Sequence, residues 1–162
     1  MSKRTQKILL VTAIAFHLSL VVFNNLFDHS SNLQFVRGVL SMDDVFSGNT
    51  NRWRALNLPW LQHLIYWFII TWEATATSFL FLGIKRMIVN RNNSELEFQN
   101  SFHAASIGLT LALFLWMVGF LSIAGEWFLM YQSTKWNAIP TAYFLFISYF
   151  LVLFYLERNE NS

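Results

Sequence analysis

Two ionisable side chains stand where the sequence expects hydrocarbon. Glu73 lies inside the run Leu61 to Ile84, LQHLIYWFIITWEATATSFLFLGI, and His17 inside an uncharged stretch from Ile8 to Phe27. A carboxylate at mid-membrane costs about 3 kcal/mol even on insertion scales, so it is expected to face partners or water. Counting about 1.5 Å per residue from the expected span ends puts Glu73 roughly 12 Å and His17 roughly 14 Å from the same inner edge. Packed side by side, the first two spans would let His17 donate a hydrogen bond to Glu73 or form a buried ion pair with it. Such a pair can carry or sense a proton, since an imidazole changes charge near neutral pH. Three plainer uses compete: holding two helices in register, a protonated Glu73 bonded to Thr77 one turn away, or a contact with another membrane subunit. A relay needs ionisable groups at further depths, and the third and fourth spans offer only Ser, Thr and Tyr hydroxyls.

A second group of polar and aromatic residues falls between the spans: Arg37, Asp43, Arg52, Trp53, Arg54, Glu126, Trp127, Gln132, Trp136 and Asn137. Glu126 is expected to pair with one of the three arginines and staple a long loop over the helix ends; the alternative is an anion or lipid-headgroup site made by the arginines with Trp53 beside them. Asp43 and Asp44 have no calcium-loop pattern around them and are expected to be solvated. His63 and His103 fall near opposite interfaces, so no three histidines converge and no metal site is expected. The absence of a Gly-rich phosphate loop and of a nucleophile elbow argues against a conventional enzyme. No cofactor is expected.

The elements that position these residues follow from composition. Of 162 residues, 55% are hydrophobic and only 12% charged, which is too apolar for an ordinary soluble domain. The fold is expected to be all-α: a four-transmembrane-helix bundle forming one membrane domain over residues 1–162, with spans near 8–27, 61–84, 102–124 and 139–156. Outer loops would occupy 28–60 and 125–138, the first long and partly helical, because Leu33, Phe35, Val36, Val39 and Leu40 fall at helical spacing after Ser30 and Ser31. The amino-terminal stretch is longer than a signal h-region and has no Ala-x-Ala-like cleavage site, so it is read as a retained span. Ala104, Gly108 and Ala112 offer one close-packing face, and Thr141, Ser148 and Tyr155, seven apart, are expected to face the bundle. There is no cysteine, hence no disulfide, thiolate metal site or cysteine nucleophile.

The net charge is +2 and the basic residues form no run, which argues against nucleic acid. Lys3, Arg4, Lys7, Lys85, Arg86, Arg91 and Arg158 fall on the side of the amino terminus, against Arg37, Arg52, Arg54 and Lys135 on the other. Seven against four places both termini in the cytoplasm. Trp53, Trp60, Trp127 and Trp136 then lie near the outer interface.

In SMDDVF, RWRALNLPW, Trp72-Glu73 and GEWFLMYQSTKWN the chain resembles, over nearly its whole length, a bacterial family of predicted small integral membrane proteins. The resemblance implies a multi-pass protein of the bacterial inner membrane and carries no activity with it. The layout of a long first and short second outer loop is also similar to claudin-type proteins, in shape alone, since the paired loop cysteines are missing. Taken together, the sequence is read as a noncatalytic accessory or interaction subunit, in contact with the lipid bilayer and with a membrane-protein partner, a second copy, or a lipid or small-molecule ligand. The alternative is a small transporter or proton-coupled ligand-binding protein using Glu73 and His17.

Overall fold

The computed structural model describes residues 1–158, which fold into helices with no strand among them. Serine at position 2 caps α1 (Lys3–Phe27) by accepting from the Thr5 amide. One residue later α2 (His29–Ser41) begins, and it ends where Met42 takes a left-handed conformation with φ 53°. A short 3₁₀ turn over Thr50–Arg54 leads to α3 (Pro59–Asn90), whose first residue is the proline, a position where a missing N–H costs nothing. The connection after α3 holds a short helix: α4 (Glu95–Asn100) starts in a reciprocal capping box between Ser94 and Glu97. α5 (His103–Phe114) runs straight on into a π-helical segment, Leu115–Trp127, and after a second loop α6 (Ile139–Glu157) completes the bundle. α1, α3, the α5–π helix and α6 are each long and apolar enough to cross a membrane.

Small residues set the closest approach. A Cβ added to Gly108 would sit 2.8 Å from the Ala76 carbonyl oxygen, and one on Gly83 would collide with the Ala105 backbone, so α3 and α5 meet almost backbone to backbone. Ala104, Gly108 and Ala112 are indeed buried. α1 packs into the same core through Val11, Ala15 and Leu18. On α6 the hydroxyl stripe is divided: Tyr155 faces the bundle and its hydroxyl donates to Gln6 Oε1 on α1 at 2.8 Å, but Thr141 and Ser148 are exposed, and Ala142, Tyr149 and Leu156 are buried. One position along a helix is a rotation of about 100°, so bulk and close packing at the neighbouring stripe win over two weakly polar hydroxyls.

α3 keeps to α5 and makes only sparse contact with the π segment beyond it. The two therefore diverge away from the termini, and the gap between them is roofed by α2 and the two loops on that side. This roof has its own apolar centre, in which Val39, Leu40, Met42 and Val45 meet Phe128, Leu129 and Met130. At the opposite end of the bundle Lys7 is buried and donates to the carbonyls of Leu156 at 2.9 Å and Arg158 at 2.7 Å, closing α1 onto the last turn of α6.

Candidate functional site

Glu73 is 2% exposed, which makes it the most deeply enclosed acid among the described residues. Its Oε2 accepts from Asn25 Nδ2 at 2.8 Å, and the Asn25 carbonyl in turn accepts from the Tyr66 hydroxyl at 2.6 Å. His17 takes a different partner: its Nδ1 shares a 2.6 Å hydrogen bond with the Tyr149 hydroxyl on α6. The expected bond between His17 and Glu73 is thus replaced by two separate ones. Eight residues, about 12 Å of helix, separate His17 from Asn25, and the register in which α3 packs on α1 brings Glu73 and Tyr66 against α1 near that helix's far end. Thr77 donates to the backbone carbonyl of Glu73, not to its carboxyl group. The Trp116 indole N–H is buried near the Tyr149 hydroxyl, with no hydrogen bond of ordinary geometry.

The loop residues form a cap in which acids of the first loop hold the second. Asp44 Oδ2 accepts from Ser133 Oγ at 2.8 Å, from the amides of Thr134 and Lys135 at 2.9 Å each, and from Thr134 Oγ1 at 3.2 Å. The Ser133 hydroxyl, the Lys135 amide and the Thr134 donors hold the Asp44 carboxyl below the ordinary carboxylate range. Asp43 accepts from the Trp136 indole at 2.8 Å, and Gln132 Oε1 accepts from Asn49 Nδ2 at 2.9 Å. Asn137, one residue before the N-cap Ala138, accepts from the Ile139 amide at 3.0 Å in the turn that leads into α6. Beneath Trp136 lies Gly38, where an added Cβ would overlap the indole ring.

The three arginines diverge. Arg37 bonds His63 Nε2 at 2.8 Å, Arg52 reaches the Val45 carbonyl, and Arg54 reaches the Trp127 carbonyl at 3.4 Å while its guanidinium lies 4.7 Å from the centre of the Trp127 ring and 5.5 Å from that of Trp53. Glu126 is exposed and bonds none of them. The loops are joined by Asp43 and Asp44 in place of the expected arginine staple: neutral donors cluster where the second loop turns, and a carboxylate satisfies several at once.

Residues that sequence reasoning passed over, or gave no part in joining the loops, include Asn25, Tyr66, Tyr149, Asp44, Ser133 and Thr134. An amide within a largely apolar helix, as at Asn25, is the signal that could have suggested a partner for Glu73. Among the described residues no three His, Asp or Glu side chains converge as metal ligands; His29 and His63 stack with ring centres 6.2 Å apart.

The bundle, its enclosed acid and its cross-bonded cap define a multi-pass α-helical integral membrane protein. The chain belongs to the family described as predicted small integral membrane protein (DUF2165), whose model matches residues 3–159. No curated protein and no solved structure is significantly similar to it.

Proposed function

We propose that this protein is a noncatalytic component of a membrane assembly in the bacterial inner membrane, and that the cap is the part another membrane protein binds. With both termini in the cytoplasm, as the seven-to-four distribution of basic residues supports, the cap faces outward. The observation that carries the reading is a contrast within the cap. Its loops are fixed by the bonds to Asp43, Asp44 and Gln132, yet it exposes Phe46, Trp53, Trp60, Trp127 and Tyr131. Aromatic side chains held on a rigid frame lose little entropy on binding and dominate contact energies at interfaces. Native mass spectrometry of protein extracted in mild detergent tests this, with Asp44→Ala beside wild type. A stoichiometric membrane-protein partner or second copy, lost on Asp44→Ala, supports the reading. A wild-type protein that is reproducibly monomeric and alone overturns it.

A second reading, a proton-coupled ligand-binding protein, is favoured by one observation: the carboxylate of Glu73 is enclosed between spans and held by the single bond from Asn25. Here Glu73→Gln folds normally and loses pH-dependent ligand binding or transport. Unchanged pH dependence in that variant removes the reading.

A further inference from the structure

The divergence of α3 from the π segment leaves a cleft of about 150 Å³ beneath α2. Every lining side chain is apolar; Phe35 and Val39 roof it, and Phe68 and Ile69 face Leu115 and Ile123 across it. A space of this size walled by Leu, Ile and Phe holds an apolar guest and stays dry. Phe68 is 58% and Ile123 48% exposed, so the mouth opens sideways on the span surfaces, where the surrounding medium is acyl chain. One turn of helix beyond Ile123, on the cap side, stands Trp127 with Arg54 over its ring and Trp53 edge-on to it. The Nε of Arg54 is buried without a hydrogen bond, and among the described residues no carboxylate bonds this guanidinium.

We propose that the cleft seats one acyl chain of an anionic membrane lipid, with the lipid's phosphate against Arg54 between Trp53 and Trp127. Chain and headgroup are recognised by different parts of one continuous surface: carbon walls below, and above them a cation at the depth where indole rings prefer to sit. The guanidinium supplies planar donors suited to phosphate, and the rings position it. This site goes beyond the partner-binding role; it shares Trp53 and Trp127 with the exposed face given to the partner, and its test needs no partner.

Gly119 provides the decisive variant. It lines the cleft, and an added Cβ there would meet only the flexible end of Leu115, at 3.3 Å, so a side chain can start from this position with a small shift of Leu115, and Gly119→Leu is the variant that occupies the space. The experiment is native mass spectrometry of protein released from nanodiscs containing phosphatidylglycerol and phosphatidylcholine in equal parts. Wild type is expected to retain one phosphatidylglycerol. Gly119→Leu should lower the retained fraction about tenfold or more, since the displaced length of chain contributes about 0.8 kcal/mol per methylene. Arg54→Gln should retain lipid with the preference for phosphatidylglycerol gone. Should Gly119→Leu fail to fold, Ile69→Phe fills the cleft from the opposite wall and is read in the same way. Equal retention by wild type and the filled variant overturns the proposal, as does wild type that retains detergent or a protein chain and no phospholipid.

Discussion

Asn25 and Glu73 are joined by a single 2.8 Å hydrogen bond that ties the end of α1 to the middle of α3. The bond is worth little by itself, because interhelical hydrogen bonds in membranes average about 0.6 kcal/mol. Breaking it from one side is different. Asn25→Leu leaves an enclosed carboxyl group without its donor and should cost about 1–3 kcal/mol. Glu73→Gln keeps an acceptor for Asn25 and should unfold close to wild type, and Asn25→Leu combined with Glu73→Leu should recover most of the single-variant loss. Unfolding midpoints in mixed micelles measure this; equal losses in Asn25→Leu and Glu73→Gln would show that the bond does not set the helix pair.

The cap should respond to acid. Asp44 is held below its ordinary range by donors that exist only when the loops are folded together, chiefly the Ser133 hydroxyl. A depressed folded value means that its contribution is complete above the unfolded value, near pH 4, and is lost as pH falls through the folded value. At neutral pH the amides of Thr134 and Lys135 should be strongly protected from hydrogen exchange. Protection, corrected for the intrinsic rate, should fall as the medium is acidified below about pH 4, and Asp44→Ala should lack it at every pH. Protection that is flat with pH in wild type would rule out the carboxylate as the latch.

How far the sequence could be read depended on whether a signal was local. Four spans were legible because hydropathy over some twenty residues needs no knowledge of neighbours, and the Ala104, Gly108 and Ala112 face was legible because small residues four apart lie on one side of a helix. Partner choice was not legible. Glu73 was conspicuous, but matching depths along two helices does not give the register and rotation at which they pack, and the packed helices put Asn25 against it and Tyr149 against His17. Asp44 looked like one of two solvated acids, since its donors lie roughly ninety residues away. The π segment has no proline, and its two glycines, Gly119 and Gly125, stand six apart and announce no break in the helix, so the cleft stayed hidden with it.

Gly38 should behave against helix propensity. In an exposed helix interior, Gly→Ala stabilises by about 1 kcal/mol. Here the new Cβ would overlap the Trp136 ring, which is itself fixed by its bond to Asp43. Gly38→Ala should therefore lower stability by about 1–3 kcal/mol, the usual range for overpacking. The same change in a Trp136→Ala background should become neutral or favourable. Thermal unfolding of the four proteins of this cycle gives the sign directly, and a Gly38→Ala variant as stable as wild type would mean that Trp136 moves aside freely.

At the other end of the molecule, Lys7 tests whether α6 is held by its last carbonyls or by its apolar face. Lys7 is 3% exposed, donates to the Leu156 and Arg158 carbonyls, and lies with Nζ 4.7 Å from the centre of the Phe102 ring. The final carbonyls of a helix have no partners within it, and a cation there also meets the negative end of the helix dipole. Lys7→Met keeps the length of the side chain and its contact with Phe102 while removing both donors. Removing a buried cation also removes the cost of desolvating it, so the net loss should stay below the roughly 1.5–3 kcal/mol of a charge-assisted bond. The local effect should be larger than the global one. Amides in the last turn of α6, from Phe154 to Glu157, should exchange faster in Lys7→Met, while those around Ala142 and Tyr149, buried in the core, should not change. Exchange that rises evenly along α6 would indicate loosened packing of the whole helix, and unchanged exchange at its end would show that the apolar face alone holds α6 in place.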